Sequence, residues 1–92
     1  MHGFVDSSDC WTSNGKENST GFMLADAGYD VWMGNLRCNK YSNKHLTLDP
    51  KNDWEYWKNG ITNDMGKYDM PAFLEYITKY SNVPKATVIA HS

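Results

Sequence analysis

Three places in the chain set a reactive or hydrogen-bonding side chain among small neighbours: His2-Gly3-Phe4, Gly34-Asn35 and Ala90-His91-Ser92. The last carries the most chemistry. A serine hydroxyl is a poor nucleophile near neutral pH and needs a general base within hydrogen-bond reach. It also has to be presented clear of its own strand. A buried strand running into small-x-Ser does this, because a sharp turn pushes the hydroxyl out above the sheet. Thr87-Val88-Ile89 is the β-branched apolar run, and Ala90 is the small residue. The full pattern is Gly-x-Ser-x-Gly; Ala90 takes the first Gly place, and the last two places lie past Ser92. Any strand can end in His-Ser, so this ending gains meaning from what surrounds it.

Those places must be positioned by secondary structure. His2-Gly3-Phe4-Val5 reads as a strand end, followed by the polar loop Asp6-Ser7-Ser8-Asp9-Cys10 and Trp11. Asn14-Gly15 is a turn signal. Ser19 or Thr20 caps a short helix holding Phe22, Met23, Leu24 and Ala27. Phe22 to Leu24 is continuous rather than striped, which predicts burial on more than one side. Gly28 fits a left-handed C-terminal cap. Tyr29-Asp30-Val31-Trp32-Met33 reads as a short strand, and its place one helix after His-Gly predicts parallel pairing. Residues 41–52 are polar, with a break at Asp49-Pro50. Asp53 begins a helical turn with Trp54 and Trp57, which Asn59-Gly60 interrupts. Met70, Phe73, Leu74 and Ile77 fall at i, i+3, i+4 and i+7, so they predict a helix with one apolar face. Asp69 suits its start, Pro71 is tolerated in its first turn, and Ser81-Asn82-Val83-Pro84 ends it. A strand over 86–90 follows. Strands alternating with helices predict an α/β layer with a parallel sheet, and chemistry at the carboxyl ends of its strands. The three small-residue places would then share one edge.

Composition narrows the classes. The 92 residues amount to one domain or part of one, and both ends read as cuts inside a larger protein. With 40% apolar and 22% charged residues the composition is globular, not that of a disordered tail. Four Trp, six Tyr and three Phe predict a substantial core, or an apolar surface that something else covers. The net charge of −2, with scattered basic residues, argues against a nucleic-acid partner. No apolar run approaches the roughly 20 residues of a transmembrane span, and no signal peptide follows Met1. Cys10 and Cys38 lack the spacing and partners of a zinc site, and no metal or other cofactor is expected; the pair could form a disulfide or remain two thiols. Asn18-Ser19-Thr20 is an N-glycosylation sequon, a mild pointer to the secretory route.

The block Leu24-Ala25-Asp26-Ala27-Gly28-Tyr29-Asp30-Val31-Trp32-Met33-Gly34-Asn35 resembles the acid lipase family, the α/β-hydrolase group of gastric and lysosomal acid lipases. The resemblance continues through Arg37, Asn39, Tyr41-Ser42 and Asp49-Pro50. It resumes at Met65-Gly66-Lys67-Tyr68-Asp69-Met70-Pro71-Ala72 and reaches Ala90-His91-Ser92. It thus covers nearly the whole chain, which would be a partial α/β-hydrolase domain over 1–92, truncated at both ends, with a mostly parallel sheet and helices on both faces. Three departures stand out. Ala90 replaces the family's Gly, Cys38 stands where the family usually has Gly, and residues 58–64 break the aromatic pattern and are one residue longer.

The resemblance implies a serine ester hydrolase acting on neutral lipid esters, such as triacylglycerols or sterol esters, at a lipid–water interface. Ser92 would be the nucleophile that carries the acyl group. Phe4 would supply a backbone N–H to the oxyanion, its side chain lining an acyl pocket or simply packing in the core. His2 and Gly3 would support that loop by hydrogen bonding, and His91 would flank the nucleophile without acting as its base. The acid and base follow the serine in this fold, so the stretch alone is expected to be inactive and to fold poorly. His45 reads as a solvated loop residue, Asp26 and Asp69 as helix-end residues, Asp30 as a strand-start residue, and Trp54, Tyr56 and Trp57 as loop packing. Cys10 and Cys38 would follow neighbouring strands, where a disulfide could form. A secreted, lysosomal or vacuolar location is implied. The competing readings are a non-catalytic relative that binds lipid or protein, and an esterase for small soluble esters.

Overall fold

The structure is a computed structural model and describes residues 1–58 and 62–92. A 3-10 turn, Ser8–Trp11, opens the first loop, with the Ser7 hydroxyl accepting from the Asp9 N–H. The helix α1, Thr20–Asp26, starts where the sequence predicts, with Ser19 extended at its N-cap. The Ser19 carbonyl accepts from Met23 N–H at 3.0 Å, while its buried hydroxyl has no partner among the described residues. Gly28, at φ +94°, closes the helix. Its N–H reaches Ala25 O at 3.0 Å and the Tyr29 N–H reaches Leu24 O at 3.1 Å, the bond pair of a Schellman cap. The left-handed φ explains why glycine stands there. Burial of α1 on more than one side does not occur: Gly21 is buried against Trp11 and Met33, but Phe22 and Met23 are exposed.

The short helix α2, Glu55–Lys58, carries Tyr56 into the interior, while Trp54 and Trp57 stay exposed. The predicted Asn59-Gly60 break, at the centre of the unusual 58–64 segment, lies outside the described residues. A π-helical turn, Met65–Asp69, leads into the 12-residue helix α3, Met70–Ser81. Pro71 sits in the first turn, where its missing N–H costs nothing. Asn82 ends α3 at φ +53°, and Val83 N–H returns to Thr78 O at 3.0 Å in a second Schellman-type cap. Met70, Phe73, Leu74 and Ile77 are the half-buried side of α3, as their spacing predicts.

Asp69 does more than start a helix. Its carboxylate takes Arg37 Nη2 at 2.8 Å, Nε at 3.0 Å and the Arg37 backbone N–H at 3.0 Å, which ties the 35–39 loop to the foot of α3. Such charge-assisted, two-pronged bonding fixes orientation as well as distance.

Among the described residues no strand is formed, so the strands expected over 29–33 and 86–90 run as extended segments outside any sheet here. A parallel strand needs a neighbour about 4.8 Å away to satisfy its N–H and C=O groups. Beside 86–90 the chain supplies Met1, and the Met1 side chain reaches toward Gly34 on the other side. Between the two segments and the apolar side of α3 lies an open groove of about 510 Å³. The aromatic-rich composition therefore serves surface more than core. Leu36 and Tyr56 are the buried large apolar residues among those described, and Trp32 meets Tyr76 and Tyr80 edge-on at the surface.

Candidate active site

The two ends of the chain meet. Met1 N donates to Ile89 O, and His91 N–H donates to Met1 O at 3.1 Å. Two bonds flanking Ala90 in this sense are those of a parallel pair. In parallel segments both chains advance together, so two residues on Gly3 comes beside Ser92. The contacts agree. A Cβ on Gly3 would lie 3.0 Å from His91 Nδ1, 3.2 Å from His91 O and 3.2 Å from Ser92 Cβ. Glycine suits this place by its close approach, not by its dihedral freedom. Ser92 is exposed and has φ +61°, a left-handed backbone that costs a non-glycine residue about 1–2 kcal/mol. Strain of this kind is what a serine on a sharp turn carries.

Phe4 and Val5 follow Gly3 on the exposed tip of the loop. Phe4 is 59% exposed, so it does not pack in a core here. Its N–H has no partner among the described residues. Val5 is β-branched yet has φ +60°, a combination local preference disfavours.

A polar network holds this loop from behind. His2 is 4% exposed. Its Nε2 accepts the Leu36 N–H at 3.0 Å, and its Nδ1 lies 2.7 Å from Gly3 O. Asn39 Nδ2 is 3.2 Å from His2 Nε2 and also bonds Asn35 Oδ1 at 2.9 Å and Asp6 O at 3.3 Å. Asn35 in turn receives the Ser8 N–H at 2.9 Å and donates to Ser8 Oγ at 3.1 Å. Farther out, Asp9 pairs with Lys40 and takes the Tyr41 hydroxyl at 2.9 Å; these two partners hold its carboxyl below the usual carboxylate range.

The other candidates have structural partners. Asp30 accepts from Trp32 Nε1 at 3.0 Å and from Ser81 Oγ at 2.8 Å, and both bonds lower its pKa. Exposed His45 caps its own turn, with Nδ1 accepting from Thr47 and Leu48 N–H. Asp26 ends α1. Among the described residues no three His, Cys, Asp or Glu side chains gather to hold a metal ion. Cys10 and Cys38 are both free thiols, so the structure does not form the disulfide considered for them. Burial and then Asp6 push the Cys10 thiol up, whereas the Cys38 thiol faces Tyr56, whose hydroxyl is raised by burial and then by that thiol. The two sulfurs thus have different surroundings. Asn18 is exposed at the start of α1, where a glycosylation acceptor must be.

A family profile for the alpha/beta hydrolase fold matches residues 1–92. The chain belongs to the α/β-hydrolase fold family. It is 46% identical over 91 residues to a lysosomal acid lipase/cholesteryl ester hydrolase of Rattus norvegicus, covering 99% of this chain and 22% of that protein. It is 43% identical to lipase member K of Homo sapiens and 40% identical to gastric triacylglycerol lipase of Bos taurus, each over the whole chain and 23% of the relative. The chain therefore spans about a quarter of the length of the curated relatives it matches.

In this α/β hydrolase the Cys38 departure has a backbone reason to matter. Cys38 has φ +68°, the left-handed region that a glycine would occupy without strain. Cys38→Gly is expected to raise the stability of the full-length protein by about 1 kcal/mol, the αL penalty removed less the entropy glycine adds to the unfolded chain. Thermal unfolding of the two proteins side by side checks this, and a lowered midpoint would refute it.

The sequence places Asn35 at the shared edge but assigns no hydrogen-bonding role to Asn39 or Ser8. Asn35 and Asn39 are part of the acid lipase resemblance, but their bonds to Ser8, Asp6 and His2 span 27 to 37 positions. The available signal was two asparagines four apart in a loop, next to a strand end.

Proposed function

We propose that the full-length protein is a serine hydrolase of neutral lipid esters, such as triacylglycerols or sterol esters, working through an acyl-enzyme on Ser92. The observation that carries this is the meeting of Gly3 with a left-handed Ser92. The names of the relatives, which include cholesteryl ester hydrolase and gastric triacylglycerol lipase, support the substrate class. In the proposed reaction Ser92 Oγ attacks the ester carbonyl while its proton passes to a base beyond these 92 residues. The carbonyl oxygen becomes an oxyanion and receives the Phe4 N–H. The alcohol leaves with the proton, and water then releases the fatty acid and restores the hydroxyl. In the whole protein, segments 29–33 and 86–90 enter a mostly parallel sheet with helices on both faces. A secreted, lysosomal or vacuolar location fits the relatives and the exposed Asn18 sequon.

The test uses the full-length protein with three substrates: emulsified triacylglycerol, emulsified sterol ester and a soluble short-chain ester. A fluorophosphonate label mapped by mass spectrometry identifies the nucleophile. Hydrolysis favouring the emulsions, with the label on Ser92, is the expected result. Preference for the soluble ester would replace the lipid assignment with the esterase reading. A folded protein that neither hydrolyses nor takes the label would be a non-catalytic relative.

A further inference from the structure

We infer that His2 is a positioning residue that sets the direction of the Phe4 N–H, and that Asn39 keeps its ring in the tautomer able to do so. The inference rests on the oxyanion role proposed for Phe4. It starts from two donors aimed at one atom. The Leu36 backbone N–H donates to His2 Nε2, so that nitrogen carries no proton. The orientation of the Asn39 amide is set independently, because its Oδ1 accepts from the N–H groups of Tyr41 at 2.9 Å and Ser42 at 3.0 Å. Its Nδ2 therefore faces His2 Nε2 at 3.2 Å, sharing its two protons among that nitrogen, Asn35 Oδ1 and Asp6 O. The ring proton is left on Nδ1, which donates to Gly3 O at 2.7 Å.

That bond reaches the proposed site through covalent geometry. The Gly3–Phe4 peptide is trans, as no cis bond occurs among the described residues. In a planar trans peptide the C=O and N–H point in opposite directions. Holding Gly3 O toward His2 therefore aims the Phe4 N–H away from His2, and that N–H has no partner among the described residues. Val5, at φ +60°, shows that the loop is held against its local preference, which persists only where the surroundings over-determine it. The Asn35–Ser8 bonds close the far end of the same loop.

The experiment compares His2→Leu, His2→Asn and Asn39→Asp in the full-length protein, with kcat and KM measured separately on one ester. Histidine ¹⁵N spectra report which ring nitrogen is protonated. His2→Leu loses the donor to Gly3 O and is expected to lower kcat about 100-fold, near the loss for removing an oxyanion donor, with KM almost unchanged. His2→Asn keeps an amide donor near the Nδ1 place and is expected to recover about tenfold of that. Asn39→Asp preserves the acceptor for Tyr41 and Ser42 but sets a carboxylate oxygen against Nε2. It is expected to move a proton onto Nε2 and lower kcat about tenfold, and it keeps the test alive if His2→Leu does not fold. The wild-type spectrum should show an Nδ1-protonated, Nε2-bare histidine that is missing from His2→Asn. Wild-type kcat in a folded His2→Leu protein, a loss confined to KM, or an Nε2-protonated His2 in the wild type would overturn the inference. Failure of the underlying reading looks different: hydrolysis would not depend on Ser92, whereas the tautomer reports on His2 without any activity.

Discussion

Ser92→Ala in the full-length protein is expected to abolish ester hydrolysis, with kcat falling by about 10⁴–10⁶. It should also end labelling by a fluorophosphonate, because no oxygen remains to attack the phosphorus. The expected size follows from the chemistry: the acyl group has nowhere to go, and only binding and oxyanion stabilisation remain. The fold should hardly change. At φ +61° alanine meets the same left-handed penalty that serine already bears. Loss of activity should thus arrive without loss of stability. A folded Ser92→Ala protein that still hydrolyses the ester would remove Ser92 from the mechanism, whatever its neighbours look like.

The second large effect belongs to Gly3→Val. A single Cβ at Gly3 already meets His91 and Ser92 at 3.0–3.2 Å, tighter than ordinary van der Waals contact. Two further methyl groups force the Phe4 loop and the Ser92 turn apart. Over-packing of this kind costs about 1–3 kcal/mol in stability. The larger consequence falls on rate, since an oxyanion donor moved off its target loses about 10²–10³ in kcat. Gly66→Ala is the matched control: a Cβ there meets nothing within 4 Å, and Gly66 has no positive φ. It should be neutral within about 0.5 kcal/mol and leave kcat unchanged. Equal kcat for Gly3→Val and Gly66→Ala would show that the approach of Gly3 to Ser92 does not matter to turnover.

The legible parts of this chain were those governed by local rules. The spacing of Met70, Phe73, Leu74 and Ile77 marks the half-buried side of α3, and Gly28 marks a left-handed cap, because periodicity and φ preference act over a few residues. Segments 29–33 and 86–90 have the β-branched and aromatic content of strands, but a strand is made by its neighbour, and propensity does not show which segment pairs beside Ala90. At the site, Ser92, His2 and Gly3 were readable as small-residue motifs. The bonds joining His2 to Leu36 and Asn39 span 34 and 37 positions and have no periodicity, so nothing local announced them. Val5 was unreadable for the opposite reason: its residue type argues against the left-handed backbone it adopts.

The pairing of Met1 with Ala90 also gives Gly3 a task during assembly. A one-residue slip of either segment would set His2 or Phe4 opposite Ser92, where even a single Cβ meets His91 and Ser92 at 3.0–3.2 Å. Both residues carry ring side chains, so each slipped alignment is rejected by collision at the spot the correct one leaves open. The missing side chain at Gly3 therefore serves as a gauge for strand alignment. Chains that pair out of step are refused by the same contact that brings the serine to its loop, so a correctly seated Ser92 is itself evidence that the segments have met in register.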